Sequence, residues 1–140
     1  ENRNILETLL VRCHVEAKNA WDKGATEAQM KEILSYIRKA QWRWDFSAAG
    51  HGNSFHSPVE LGRIIAGGIA FAQDARIRTA RLLADLGENR EIPYPDITTK
   101  AKAQAYIGLE MNKLMEEKEI FLRNIIPQWI NAGKDREKSY

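Results

Sequence analysis

Apolar residues recur along most of this chain at three- and four-residue intervals, with charged residues between them. That is the pattern of amphipathic helices, not of strands. Ile5, Leu6, Leu9, Leu10, Cys13, Ala17, Ala20 and Trp21 predict a helix over Asn4–Lys23, closed by Gly24. Thr26 and Gln29 have the spacing of a capping box, in which two side chains satisfy helix N–H groups that otherwise lack acceptors. They open a second helix, Glu27–Ala49, with Met30, Ile33, Leu34, Ile37, Ala40 and Trp44 on its apolar face. Gly50 and Gly52 end it. A short connection, Gly50–His56, carries His51 and His56. Ser57, Pro58 and Glu60 then read as a second capping box, with proline at the first helical position. His56 precedes that cap, so a rigid helix start is expected to hold its backbone.

The third helix, Pro58 to about Leu86, is the longest. Leu61, Ile65, Gly68, Ala72, Ala75, Thr79, Leu82 and Leu86 step by four and three, a heptad-like seam whose middle is built of small residues. Gly67 and Gly68 would each cost about 1 kcal/mol relative to alanine inside a helix. A closely packed helix or a flat cofactor on that face would compensate. Pro93 and Pro95 keep the following connection extended. Asp96 or Thr98 is expected to cap a short helix to Tyr106, ended by Gly108. A final helix from near Leu109 carries Met111, Leu114, Met115, Phe121, Leu122, Ile125, Trp129 and Ile130, and Pro127 should kink or break it. The class is all-α, a bundle of about four main helices around one long central helix, within a single domain over residues 1–140. The pattern contains no internal repeat, and the charged end Lys134–Tyr140 reads as frayed.

Composition narrows the functional classes. The chain has 140 residues and a net charge of +2, with lysine and arginine spread among nearly as many acids. No basic block of the kind that binds nucleic acid or an anionic membrane stands out, and no apolar run approaches the ~20 residues of a membrane span. No secretory leader is readable; a chain opening on Glu1 is expected to have been cut or processed. The single Cys13 excludes an internal disulfide and any two-cysteine zinc or haem motif. Cys13-His14 resembles the end of C-x-x-C-H, but Leu10 stands where the first cysteine is needed, so a buried helical cysteine is the better reading.

Two readings of His56 stand on the residues alone. It is a ligand to haem iron or another metal, since neutral imidazole is the commonest metal-binding side chain, or it is a helix-start histidine bonded to backbone. His51 and His56 form H-x4-H without a third ligand nearby, a poor metal site. Trp42 and Trp44 lie about 200° apart around a helix, so one belongs to the core and the other to an interface or a cofactor. No nucleophile triad, E-x-x-H pair or phosphate loop is present.

The strings AQWRWDF, A-x-HG, HSPVE and ARLLADLG, followed by PYPDITTKAKAQAYIGLEMNKLMEEKEIFLRNIIPQW, carry a resemblance that extends over essentially the whole chain. Together they resemble the C-terminal part of the ammonia-forming cytochrome c nitrite reductases. These are periplasmic pentahaem enzymes that reduce nitrite to ammonium. The resemblance implies that His56 is the distal axial ligand of a bis-histidine haem c, serving electron relay and not bond-making. It implies a homodimer through long helices, 58–86 or 109–133 or both, and an electron-donor cytochrome as partner. The family's haem-attachment motifs, active-site residues and calcium ligands are missing here and lie upstream in the family, so the chain alone is expected to be inactive. The rival class is a non-enzymatic helical dimerisation module without cofactor. A weaker reading is a bundle that binds haem or metal non-covalently through His56 and His14.

Overall fold

A computed structural model describes residues 2–50 and 52–138. Seven helices follow in order: α1 (Asn2–Asp22), α2 (Glu27–Ala49), α3 (Asn53–His56), α4 (Pro58–Asp85), α5 (Lys100–Tyr106), α6 (Met111–Asn124) and α7 (Ile126–Glu137). Among the described residues there is no strand, so the all-α class holds. The chain divides into two compact units, one up to Tyr94 and one from Pro95.

In the first unit α1, α2 and α4 pack pairwise against each other. The Thr26–Gln29 capping box forms as the spacing implies: the Gln29 N–H donates to Thr26 Oγ1, and the Thr26 N–H donates to Gln29 Oε1 at 2.8 Å. α1 and α4 end alike. Gly24 and Gly87 take positive φ, and the N–H groups of Ala25 and Glu88 reach back to the carbonyls of Ala20 and Leu83. This is the Schellman arrangement, which needs a residue without a Cβ at the left-handed position.

The small-residue seam of α4 is the centre of the core. Ile65, Gly68, Ala72, Ala75, Thr79 and Leu82 are all buried, facing Leu6, Leu10, Cys13 and Ala17 of α1 and Met30, Ile33, Ile37 and Ala40 of α2. A Cβ on Gly68 would stand 2.6 Å from Leu6 Cδ2 and 3.2 Å from Arg43 Cβ. The compensation expected for the glycine pair is therefore close helix packing within the chain, so this seam is already filled and is not left for a second copy. Each large core side chain of this kind contributes about 1.5–3 kcal/mol of burial, which outweighs the propensity lost at the glycines.

Beyond α4 a turn at 86–87 leads into a stretch without helix or strand, up to the start of α5. Within the first unit, Arg12 of α1 reaches this segment, lying 4.7 Å from the Tyr94 ring centre and 3.6 Å from Glu91. In the second unit Thr99, not Asp96 or Thr98, caps α5 through its hydroxyl and the Lys102 N–H. Asp96 instead accepts from the Thr98 N–H and hydroxyl and pairs with Lys102, which removes both candidates from the cap. The last helical stretch is broken at Ile125, two residues before Pro127. α6 and α7 pack on each other through Phe121 and Trp129, whose rings meet edge-on at 5.4 Å.

Candidate functional site

The connection expected between α2 and α4 contains a one-turn helix, α3, and His56 is its last residue. The N–H groups of Phe55 and His56 both donate to the Gly52 carbonyl at 2.9 Å. The expected Ser57–Glu60 capping box is absent. Ser57 makes no side-chain cap, and Glu60 turns to Arg63, which donates to both carboxylate oxygens at 2.7 and 3.0 Å. That bidentate pair engages both Glu60 oxygens, so the backbone of His56 is held by its own turn on Gly52. Pro58 keeps its place in the first turn of α4.

The His56 side chain is exposed, and its ring nitrogens have no hydrogen-bond partner among the described residues. Its Cδ2 lies 3.3 Å from where a Cβ on Gly52 would stand, so the imidazole rests on bare backbone there. Phe55 meets it edge-on at 5.4 Å. Beside this turn opens a cleft of about 670 Å³, bordered by Gly50, Gly52 and Pro58, with Arg3 at its polar end and Leu61 and Ile65 on its apolar wall. His56 flanks the cleft through its neighbours and is not itself among the lining residues. Trp44 is half-buried, and its indole N–H is buried without an acceptor among the described residues.

His56 flanks a cleft that brings an apolar wall from α4 together with the Arg3 guanidinium from α1; Trp44 is not among its lining residues. Arg3 was not legible as part of this site, because it lies some fifty residues from His56 and only the packing of α1 on α4 brings it to the cleft.

The other candidates separate. His14 is exposed and borders a different groove, with Lys31, Leu34, Arg38, Gln41, Trp42 and Asp45. It does not share the cleft beside His56. His51 lies outside the described residues. Trp42 is 69% exposed while Trp44 is half-buried, the division their spacing implies. Among the described residues no group of three or more His, Cys, Asp or Glu side chains could hold a metal ion. Cys13 is buried and donates to the Ala72 carbonyl at 3.3 Å. Burial, with the Glu16 carboxylate adding to it, pushes its thiol up to about 12, so it stays protonated and inert.

The frame and site together define a class: an all-helical domain with an exposed histidine flanking a surface cleft of mixed polar and apolar lining. The sequence narrows this further. The family described as Cytochrome c552 matches residues 1–138, and the chain belongs to it. It is 53% identical over 138 residues to a cytochrome c-552 of Parabacteroides distasonis, covering 99% of this chain and 28% of that protein. It is 52% identical over 136 residues to a cytochrome c-552 of Porphyromonas gingivalis, covering 97% of this chain and 27% of that protein. The cytochrome c-552 of Bacteroides thetaiotaomicron is also 52% identical, over 134 residues. The chain thus spans under a third of the length of these relatives. No helix among the described residues is long and apolar enough to cross a membrane.

Proposed function

We propose that this chain is the C-terminal helical part of a multihaem cytochrome c nitrite reductase, and that His56 supplies the distal axial ligand of one bis-histidine relay haem. The observation that carries the reading is an exposed imidazole, without a hydrogen-bond partner among the described residues, on a turn beside a cleft, in a chain that matches the cytochrome c552 family over nearly its full length. Haem c, when bound, would supply one-electron redox chemistry, with His56 as the residue of this chain that would hold its iron. The residues of this chain do the rest. The Gly52 carbonyl holds the His56 backbone, Phe55 meets its ring edge-on, and Leu61 and Ile65 offer the cleft an apolar wall. Arg3, which lines the cleft, is the candidate partner for the carboxylates of such a group.

In this reading the covalent haem attachment, the nitrite-reducing centre and any calcium site belong to the remainder of the polypeptide. The intact protein is periplasmic, takes electrons from a donor cytochrome, and forms a homodimer. The second copy is met by the face of α6 and α7, where Leu114, Met115, Leu122, Trp129 and Ile130 are exposed. That same face supports the rival reading of a helical dimerisation module without a cofactor.

The test uses the polypeptide that carries this chain together with its haem-bearing remainder. His56→Ala is expected to shift the spectrum and the potential of one haem while the number of covalently attached haems stays the same. An unchanged redox titration would sink the ligand assignment. A natural polypeptide with no covalent haem would favour the dimerisation module.

A further inference from the structure

At the outer seam between α2 and α4, two rings that pack against the edge of the core carry a cluster of cations on their outer side, away from the cleft beside His56. Glu32, Tyr36, Lys39 and Arg43 follow each other along one face of α2, and Gly67, Phe71 and Arg78 along one face of α4. Tyr36 and Phe71 lie with ring centres 5.8 Å apart. Three cations stack on these two rings. Arg43 lies 4.5 Å from the Phe71 centre, Arg78 lies 4.5 Å from the Tyr36 centre, and Lys39 Nζ is 5.4 Å from both.

The three differ in how they are satisfied. Arg78 is closed off: it donates to the Tyr36 hydroxyl at 3.3 Å and pairs with Glu32 at 3.3 Å. Arg43 donates once, from Nη1 to the Lys39 carbonyl at 2.8 Å. Neither Lys39 nor Arg43 has a carboxylate partner among the described residues. Asp74, on the same α4 face by spacing, pairs with neither of them.

Arg43 is also held in place. A Cβ on Gly67 would stand 3.3 Å from its Nε, so the missing side chain lets the guanidinium lie across α4 and onto Phe71. Fixing the side chain in the free protein removes part of the entropy cost of a later contact. A guanidinium with an open edge, beside an ammonium, is the donor set that grips carboxylates. Bringing like charges together on two rings is unfavourable until an anion joins them.

We infer that this α2–α4 seam is a docking site for a protein surface with clustered carboxylates, gripped by Lys39 and Arg43. Charge complementarity commits the occupant to an acidic polypeptide. The aromatic floor supplies flat apolar area beneath the charges, as at interfaces anchored by arginine and tyrosine. The inference does not depend on the haem reading.

The test titrates the purified protein with a glutamate-rich peptide, and separately with inorganic phosphate, following binding by fluorescence anisotropy or calorimetry. The double variant Lys39→Gln/Arg43→Gln is expected to weaken peptide binding about tenfold, and raising salt from about 50 to about 200 mM to weaken the unaltered protein as well. Lys31→Gln/Arg38→Gln removes the same charge from a different part of α2 and is expected to leave binding unchanged. Arg43→Lys keeps the charge but loses the fork, and is expected to fall between. Equal losses in both double variants would mean diffuse charge attraction and overturn the site. Phosphate binding as tight as the peptide would overturn the acidic-protein occupant in favour of a small anion. No binding to the peptide would overturn the inference outright. Circular dichroism at unchanged helicity makes a binding loss interpretable.

Discussion

At the scale of single residues, the side chains that matter are defined by what their neighbours leave unsatisfied. Glu88 is the opposite case, a carboxylate saturated with donors. It accepts from the Arg90 Nε at 3.2 Å and the Arg90 N–H at 3.1 Å, and lies 3.2 Å from Lys23 Nζ at the end of α1. The Arg90 side chain first, then its backbone N–H, then Lys23, pull the Glu88 carboxyl from 4.5 down to about 2. A carboxylate whose pKa is depressed on folding stabilises the fold above its unfolded value. Its contribution is therefore fully present above pH 4.5 and disappears as the pH falls through about 2. Glu88→Gln is expected to melt lower than the unaltered protein at pH 6, with the gap closing as the pH approaches about 2. Thermal melts across that range check this. A gap that stays constant with pH would show that the substitution acts through packing, not through the titrating carboxylate.

At the scale of elements, two glycines of α4 separate intrinsic helix propensity from packing. Gly62 has nothing within 4 Å of a built Cβ, so Gly62→Ala is expected to stabilise the fold by about 1 kcal/mol through propensity alone. Gly68→Ala gains the same propensity but drives a methyl to 2.6 Å from Leu6 Cδ2 and 3.2 Å from Arg43 Cβ, and Leu6 is fully buried. Overpacking of this kind costs about 1–3 kcal/mol, so the net effect is expected to be destabilising. Urea unfolding of the two variants should move in opposite directions, and a stabilised Gly68→Ala would mean that the α1–α4 contact is looser than these distances. The same elements show what could be read from the chain in advance. The bounds of α2, its capping box and the α4 seam were legible because local spacing and burial agree there. The Ser57–Glu60 box was not, because Arg63, one turn on, offers Glu60 a stronger partner than a backbone N–H. Thr99 displaced Asp96 and Thr98 as the α5 cap because those two bond to each other. The His56 turn was legible as a candidate. The cleft beside it was not, since Arg3, Leu61 and Ser47 converge only in three dimensions.

At the scale of the whole molecule, the two compact units differ in how they dispose of apolar surface. The first buries its heptad-like seam between three helices. In the second, no residue of α5, α6 or α7 is buried, although α6 and α7 carry a regular apolar stripe. Phe121 is 39% exposed and Trp129 is 61% exposed, with Leu114, Met115, Leu122 and Ile130 about as open. A contiguous stripe of this kind is the signature of a contact surface. The edge-on packing of Phe121 and Trp129 makes it a preformed aromatic anchor. If a second copy covers this stripe, Trp129 is the residue whose truncation should hurt most, since buried aromatics at the centre of an interface cost about 2 kcal/mol or more when removed. That corresponds to roughly a thirtyfold weaker association. Trp129→Ser is accordingly expected to shift sedimentation from dimer toward monomer at micromolar concentration, with helical content unchanged. Lys31→Gln, remote from the stripe in sequence and lying in the first unit, is expected to leave the dimer intact. A protein that sediments as a monomer before any substitution would leave the stripe to the remainder of the longer polypeptide. The helix break at Ile125 would then serve to bend α7 onto that remainder and not onto a second copy.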